Sequence, residues 1–316
     1  MTAAISLLAY AAALGGGGPW LLRRSSWAER SPRLGILVWQ AASVSVLGAI
    51  MLAGLALVVP IANAPHGLAD LLAACRLMLQ AHYGSGPQPI AAYVGILVAG
   101  GVVLWTTCQI LIVFITAVRQ RRRHLETLNM VARRRLDIGA LVVEHAQPMA
   151  YCLPGRRRCV VVSTGALDRL SSEQLAAVLA HERAHLKGRH DLVLNFARAI
   201  GRAFPAVPLL RAAKDEIARL VELLADDTAA RHHDRTTLAA ALVTVANGWA
   251  PAMAMGAGGG TAVVRVRRLL APHAPLSRAA RLTGGFGVAL FLALPVTLAA
   301  NPAIIALLER HCHLPL

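Results

Sequence analysis

The residues best suited to chemistry are His181-Glu182-Arg183-Ala184-His185. On a helix, two histidines four residues apart leave the same face from consecutive turns and can hold one Zn²⁺ together. The glutamate beside the first histidine projects at the edge of that face, within reach of a water on the metal. It can take the proton of that water as the oxygen attacks a carbonyl. The pattern is that of peptide hydrolysis, with Glu182 as general base and His181 and His185 as metal ligands.

These side chains need a helix to carry them, and the chain supplies its start. Ser171 followed by Gln174 makes a capping box, so a helix is expected over Glu173 to Asp191. Leu175, Val178, Leu179 and Leu186 give it an apolar face that carries both histidines inward. His190 lies five residues beyond His185; on a continuing helix it points about 140° away, which excludes it as a ligand. A catalytic zinc site takes three protein ligands, so one more must come from elsewhere. The best candidate is Glu222 on a helix from about Leu210 to His233. Asp226, one turn on, shares its face and can accept the free ring N–H of a zinc-bound histidine. Glu216 competes but points about 120° from Glu222 and has no carboxylate four residues later. Arg231, His232 and His233 are possible oxyanion donors, with a membrane-facing basic patch as the competing reading.

Ahead of the helix, Leu136 to Ser163 reads as strands. Gly139 to Glu144 is short and β-branched, and Met149 to Leu153 and Cys159 to Ser163 flank a Pro154-Gly155 turn. An edge strand beside a zinc helix can bind a substrate backbone by strand addition; a merely structural hairpin is the alternative. The five cysteines are irregularly spaced and imply no disulfide framework, although Cys152 and Cys159 could face each other across this hairpin.

The setting is a membrane. The chain has 316 residues, 56% hydrophobic and only 15% charged, with mean hydropathy +0.56, too apolar for an ordinary soluble enzyme. Spanning helices are expected at about 2–22, 34–62, 90–118 and 284–308. Arg23, Arg24, Arg30 and Arg33, then Arg119 and Arg121 to Arg123, then Arg278 and Arg281 lie beside these runs. By the positive-inside rule they mark the cytoplasmic side. The net charge of +16 is thereby accounted for without direct nucleic-acid binding. Residues 1–118 then form a membrane domain, and 119–281, which holds nearly all the carboxylates, a cytoplasmic one. Both termini lie outside, the last as a short tail at 309–316. The segment Asn63 to Pro89 is an outside loop, with Leu68, Leu71, Leu72, Cys75 and Leu79 at helical spacing. Ala252 to Gly260 is a break rich in glycine and alanine.

His181-Glu-Arg-Ala-His185, the following Leu-Lys-Gly-Arg-His-Asp191, and Glu222-Leu-Leu-Ala-Asp226 together resemble the gluzincin membrane peptidases, specifically the BlaR/MecR type of antirepressor metalloprotease. Val160 to Leu167 before the zinc helix and Val264-Arg265-Val266-Arg267-Arg268-Leu269-Leu270 after it extend the likeness over about Pro148 to Pro272. HtpX-type peptidases are more distant relatives. The resemblance implies an α-helical integral membrane protein of four transmembrane helices with a cytoplasmic α+β gluzincin-type zinc peptidase domain. It also implies Zn²⁺ on His181, His185 and Glu222, Glu182 as base, and Asp226 behind the ligands.

The sequence departs from the best-known members in ending soon after the fourth helix, without an extracellular penicillin-binding sensor. The expected function is a membrane-embedded zinc endopeptidase acting at the cytoplasmic side on a protein substrate, by resemblance a winged-helix repressor of the BlaI type. A constitutive HtpX-like quality-control or processing peptidase and a non-catalytic signalling scaffold are the alternatives. The partners expected are that substrate and the lipid bilayer, with a homo-oligomer left open.

Overall fold

A computed structural model of the chain describes residues 2–24, 26–58, 88–155, 158–248, 257–271 and 276–312. Four of its helices are long and apolar enough to cross a membrane, where only internally hydrogen-bonded backbone is tolerated. Helix α1 spans Thr2–Arg23, the short α2 Trp27–Arg30, α3 Pro32–Val58, and α4 Gln88–Val131. The outside loop expected at Asn63 to Pro89 lies almost wholly outside the described residues.

α3 is the centre of this bundle. From it, Ser45 donates to the Phe291 carbonyl at 2.5 Å and contacts the Tyr10 hydroxyl of α1 at 2.7 Å. Phe291 belongs to a helix near the end of the chain, α11 (Arg278–Cys312). α3 and α4 approach closely at Gly54 and Gly95, where a methyl on Gly54 would lie 2.8 Å from the Gly95 carbonyl oxygen. Small residues of this kind let membrane helices touch backbone to backbone.

α4 does not end at Val118, where the apolar run stops, but continues through the arginines to Val131. Its 44 residues make it about 66 Å long. The extension is held by packing: Leu125 and Leu128, one turn apart, sit on a sheet with Leu153, Val161 and Tyr151.

That sheet has the order β1-β2-β4-β3, with β1 Arg133–Arg135, β2 Ala140–Val143, β3 Ala150–Leu153 and β4 Cys159–Ser163. β2 and β4 are parallel, the other pairs antiparallel. Alternation divides its faces. Tyr151, Leu153, Cys159 and Val161 turn to α4; Ala150, Cys152, Val160 and Val162 turn to the next helices, α5 (Thr164–Arg169) and α6 (Ser172–Gly188). Cys152 pairs with Val160, and Cys159 with Leu153. The two cysteines therefore point to opposite faces and do not meet across the hairpin.

α6 starts on the expected capping box, with Ser171 Oγ accepting from the Gln174 amide and Gln174 Oε1 from the Ser171 amide. It stops at Gly188, earlier than the expected Asp191, because Arg189 takes a left-handed conformation with φ 49° and ψ 41°. A separate helix, α7 (His190–Ala203), follows, and α8 (Pro208–Ala229) returns from it.

This α7–α8 hairpin is wedged into the apolar bundle. Along α7, Asp191 pairs with Arg121 of α4 at 3.1 Å, and the Ala203 carbonyl accepts from Trp105 Nε1 at 2.9 Å. α8 lies on α1 and α3: Leu209, Ala213, Ile217 and Leu220 share one buried cluster with Leu7, Trp39 and Val46. Glu216 pairs with Arg23 at the end of α1. Helices α9 (Arg235–Gly248) and α10 (Ala257–Leu270) complete the described elements. The expected break at Ala252 to Gly260 falls partly outside the described residues, and its end is the first turn of α10.

The α3–α4 contact is testable. Gly54→Val should cost about 1–3 kcal/mol by overpacking, read as a lower unfolding temperature in detergent. Gly48→Ala, where an added methyl meets nothing within 4 Å, should leave it unchanged.

Candidate metal centre

α6 and α8 pack together with their polar residues facing. α6 buries Ala177, Val178, Leu179 and Ala184, which carries His181 inside at 5% exposure. α8 begins with Pro208, whose fixed φ suits a first helical turn, and its interior presents Glu222 and Asp226 on one face.

Three of these side chains converge. His181 Nε2 lies 3.1 Å from His185 Nε2, and Glu222 carboxylate oxygens lie 3.5 Å from each nitrogen. A tetrahedral zinc site with ligand distances of about 2.0–2.1 Å has ligand–ligand separations of about 3.3 Å. The triangle fits a zinc ion in size and in donor type. Burial pushes the His185 pKa down to about 4, which keeps a lone pair available. Burial opposes ionisation of Glu222, but the hydrogen bond with His181 and the charge of Arg265 outweigh it and hold the carboxyl at about 2.

Behind the triangle, Asp226 Oδ1 lies 3.0 Å from His181 Nδ1. Asp226 is wholly buried and is neutralised by Arg265 of α10, whose Nε and Nη2 donate to its two oxygens at 2.8 and 2.7 Å. The same guanidinium reaches Glu222 at 2.9 Å. Against the cost of burial, Asp226 and Glu222 raise the His181 pKa to about 9. One turn along α10, Arg268 pairs with Asp227 at 2.7 Å, a second clamp between α10 and α8.

Glu182 is half-buried on the side of α6 that meets β3, and desolvation raises its pKa above the ordinary carboxylate value. Its neighbour is Cys152 of β3, whose thiol is pushed up to about 12, first by burial and then by the Glu182 charge. A thiol so held stays protonated and acts as a hydrogen-bond donor.

The structure thus brings together His181, His185, Glu222, Asp226 and Glu182. Glu216 is elsewhere, engaged with Arg23 and Arg219. Arg231 and His232 are exposed in the turn after α8, and none of the contacts described for the cluster involves them or His233. Sequence reasoning gives Arg265 no part in the site; the readable signal is the pair Asp226-Asp227 with a later Arg-x-x-Arg on one helical face. A continuing helix also sets His190 aside, whereas the ring lies against His185 with Nδ1 3.1 Å from His185 Nδ1.

The family model for peptidase family M48 matches residues 118–284. Over 63 residues the chain is 41% identical to the plastoglobule-localized metallopeptidase 48 of Arabidopsis thaliana, a chloroplast protein; this covers 19% of the chain and 18% of the relative's length. No solved structure matches.

Removing the carboxylate behind His181 should loosen the metal without removing a ligand. Asp226→Ala is expected to weaken zinc binding about 10–100-fold, measured by competition with a chromogenic chelator.

Proposed function

Because the chain belongs to peptidase family M48, a family of metallopeptidases, we propose that it is a membrane-embedded zinc endopeptidase that cleaves a protein substrate at the cytoplasmic side. The observation that carries this reading is the His181–His185–Glu222 triangle with half-buried Glu182 beside it. His181, His185 and Glu222 would hold the zinc, which when bound supplies Lewis acidity to a water and to a peptide carbonyl. Glu182, with its raised pKa, takes a proton from the attacking water and returns it to the leaving amine. Asp226 orients the His181 ring, and Arg265 keeps Asp226 and Glu222 ionised.

β3 is the edge of the sheet and packs on α6, so its unpaired side is suited to receive an extended substrate segment by strand addition. Beside it lies a cavity of about 570 Å³ lined by His124, Met149, Ala150, Tyr151, Val245 and Ala246.

For the substrate, the resemblance to the BlaR/MecR type supports a winged-helix repressor of the BlaI type. The more distant resemblance to HtpX-type peptidases supports a second reading, a constitutive quality-control or processing peptidase. Incubation with a purified repressor of that type and with an unfolded membrane protein separates them, since a regulatory peptidase cuts only the first.

Glu182→Gln should keep its zinc and lose about 10²–10⁴-fold in proteolysis. Wild-type protein without bound metal overturns the enzyme reading; a variant that keeps its zinc and its full activity overturns Glu182 as the base. A tag on Leu316 should react with a membrane-impermeant reagent in intact cells, and a tag inserted after Gly155 should not; the opposite pattern overturns the cytoplasmic placement.

A further inference from the structure

His181 has a partner behind it in Asp226, and the structure gives His185 a counterpart. With Nε2 turned toward His181 and Glu222, His185 presents Nδ1 on the far side, where it meets His190 Nδ1 at 3.1 Å. We propose that His190 is a positioning residue of the metal centre: its Nδ1 accepts the His185 Nδ1–H, fixing the tautomer and ring orientation that leave His185 Nε2 free for the metal. This rests on the reading of His181, His185 and Glu222 as zinc ligands.

Three local features deliver His190. The helix breaks at Arg189, the one non-glycine residue with positive φ among those described, a conformation that costs free energy unless its surroundings hold it. The break swings the next side chain back over the last turn of α6. There the ring covers Gly188 so closely that a methyl on that glycine would collide with His190 Nε2. The ring itself is buried at 5% exposure, and a neutral imidazole carrying its proton on Nε2 has Nδ1 free to accept. A continuous helix would have placed it elsewhere.

His190 is not a fourth ligand in this arrangement, because it faces the nitrogen of His185 turned away from Glu222 and stands outside the group of converging donors. A zinc-bound histidine ordinarily gives its second N–H to an acceptor, and losing that acceptor weakens metal binding about 10–100-fold.

The test uses the full chain in detergent, with zinc affinity by chelator competition, the visible spectrum of the Co²⁺-substituted protein, and the unfolding temperature without metal. His190→Ala should weaken zinc binding about 10–100-fold with little change in metal-free stability. His190→Asn places a carbonyl oxygen where Nδ1 stands and should recover most of that loss, with the four-coordinate cobalt spectrum kept. Gly188→Ala, which displaces the ring, should resemble His190→Ala. Wild-type affinity in His190→Ala, or a folded His190→Asn that recovers nothing, overturns the inference. A cobalt spectrum showing one ligand fewer in His190→Ala overturns it in favour of direct ligation. Wild-type protein that binds no metal instead removes the zinc-site reading beneath it.

Discussion

The constraint on which the site depends is the burial of Asp226. A carboxylate with no exposure is tolerated only if paired and hydrogen-bonded, and here the pairing comes from two directions. Arg265 supplies a two-point hydrogen bond from α10, and His181 approaches from α6. Satisfying one buried anion therefore sets the position of three helices. The guanidinium held there also reaches Glu222, so the charge that stabilises the partner behind the ligands keeps the third candidate ligand ionised as well.

The convergence of His181, His185, Glu222 and Asp226 was legible because it follows from helical period. Residues four apart share a face wherever the helix packs, and two such pairs on apolar helices have few ways to meet. What escaped was whatever depended on a departure from regularity or on distance along the chain. The position of His190 follows from a left-handed turn at Arg189, which is itself not a glycine. Arg265 lies 39 residues beyond Asp226, and its partner is chosen by packing. The extension of α4 past Val118 is hidden for a related reason: the apolar run ends there, but Leu125 and Leu128 keep a helical stripe that only the sheet explains.

The sheet has two jobs because its sides alternate. Through Cys152 it touches the proposed base, and through Tyr151 it meets His124 of α4, with Tyr151 Oη 2.9 Å from His124 Nε2. Under strand addition, the register of a substrate on β3 would decide which carbonyl comes level with Glu182. Sequence preference would then arise mainly where a side chain meets Val245 and Ala246 in the adjoining cavity, an apolar surface that selects weakly by size.

The α7–α8 hairpin ties the site to the apolar helices. Its composition reads as that of a soluble amphipathic pair, with Arg198, Arg202 and Arg211 exposed on its outer side. Its inner side nevertheless joins the core of α1 and α3. α7 leaves the site at His190 and follows α4; α8 returns along α1 and α3 and delivers Glu222. Only residues 204–207 separate the two helices. Both sides of the proposed metal centre are thus continued, without a long flexible connection, into helices packed on different apolar segments. A shift of α4 relative to α3 would have to be absorbed by the hairpin or by the α6–α8 contact. Packed helices are not continuously deformable, so the hairpin and the α6–α8 contact are the places where such a shift would be taken up.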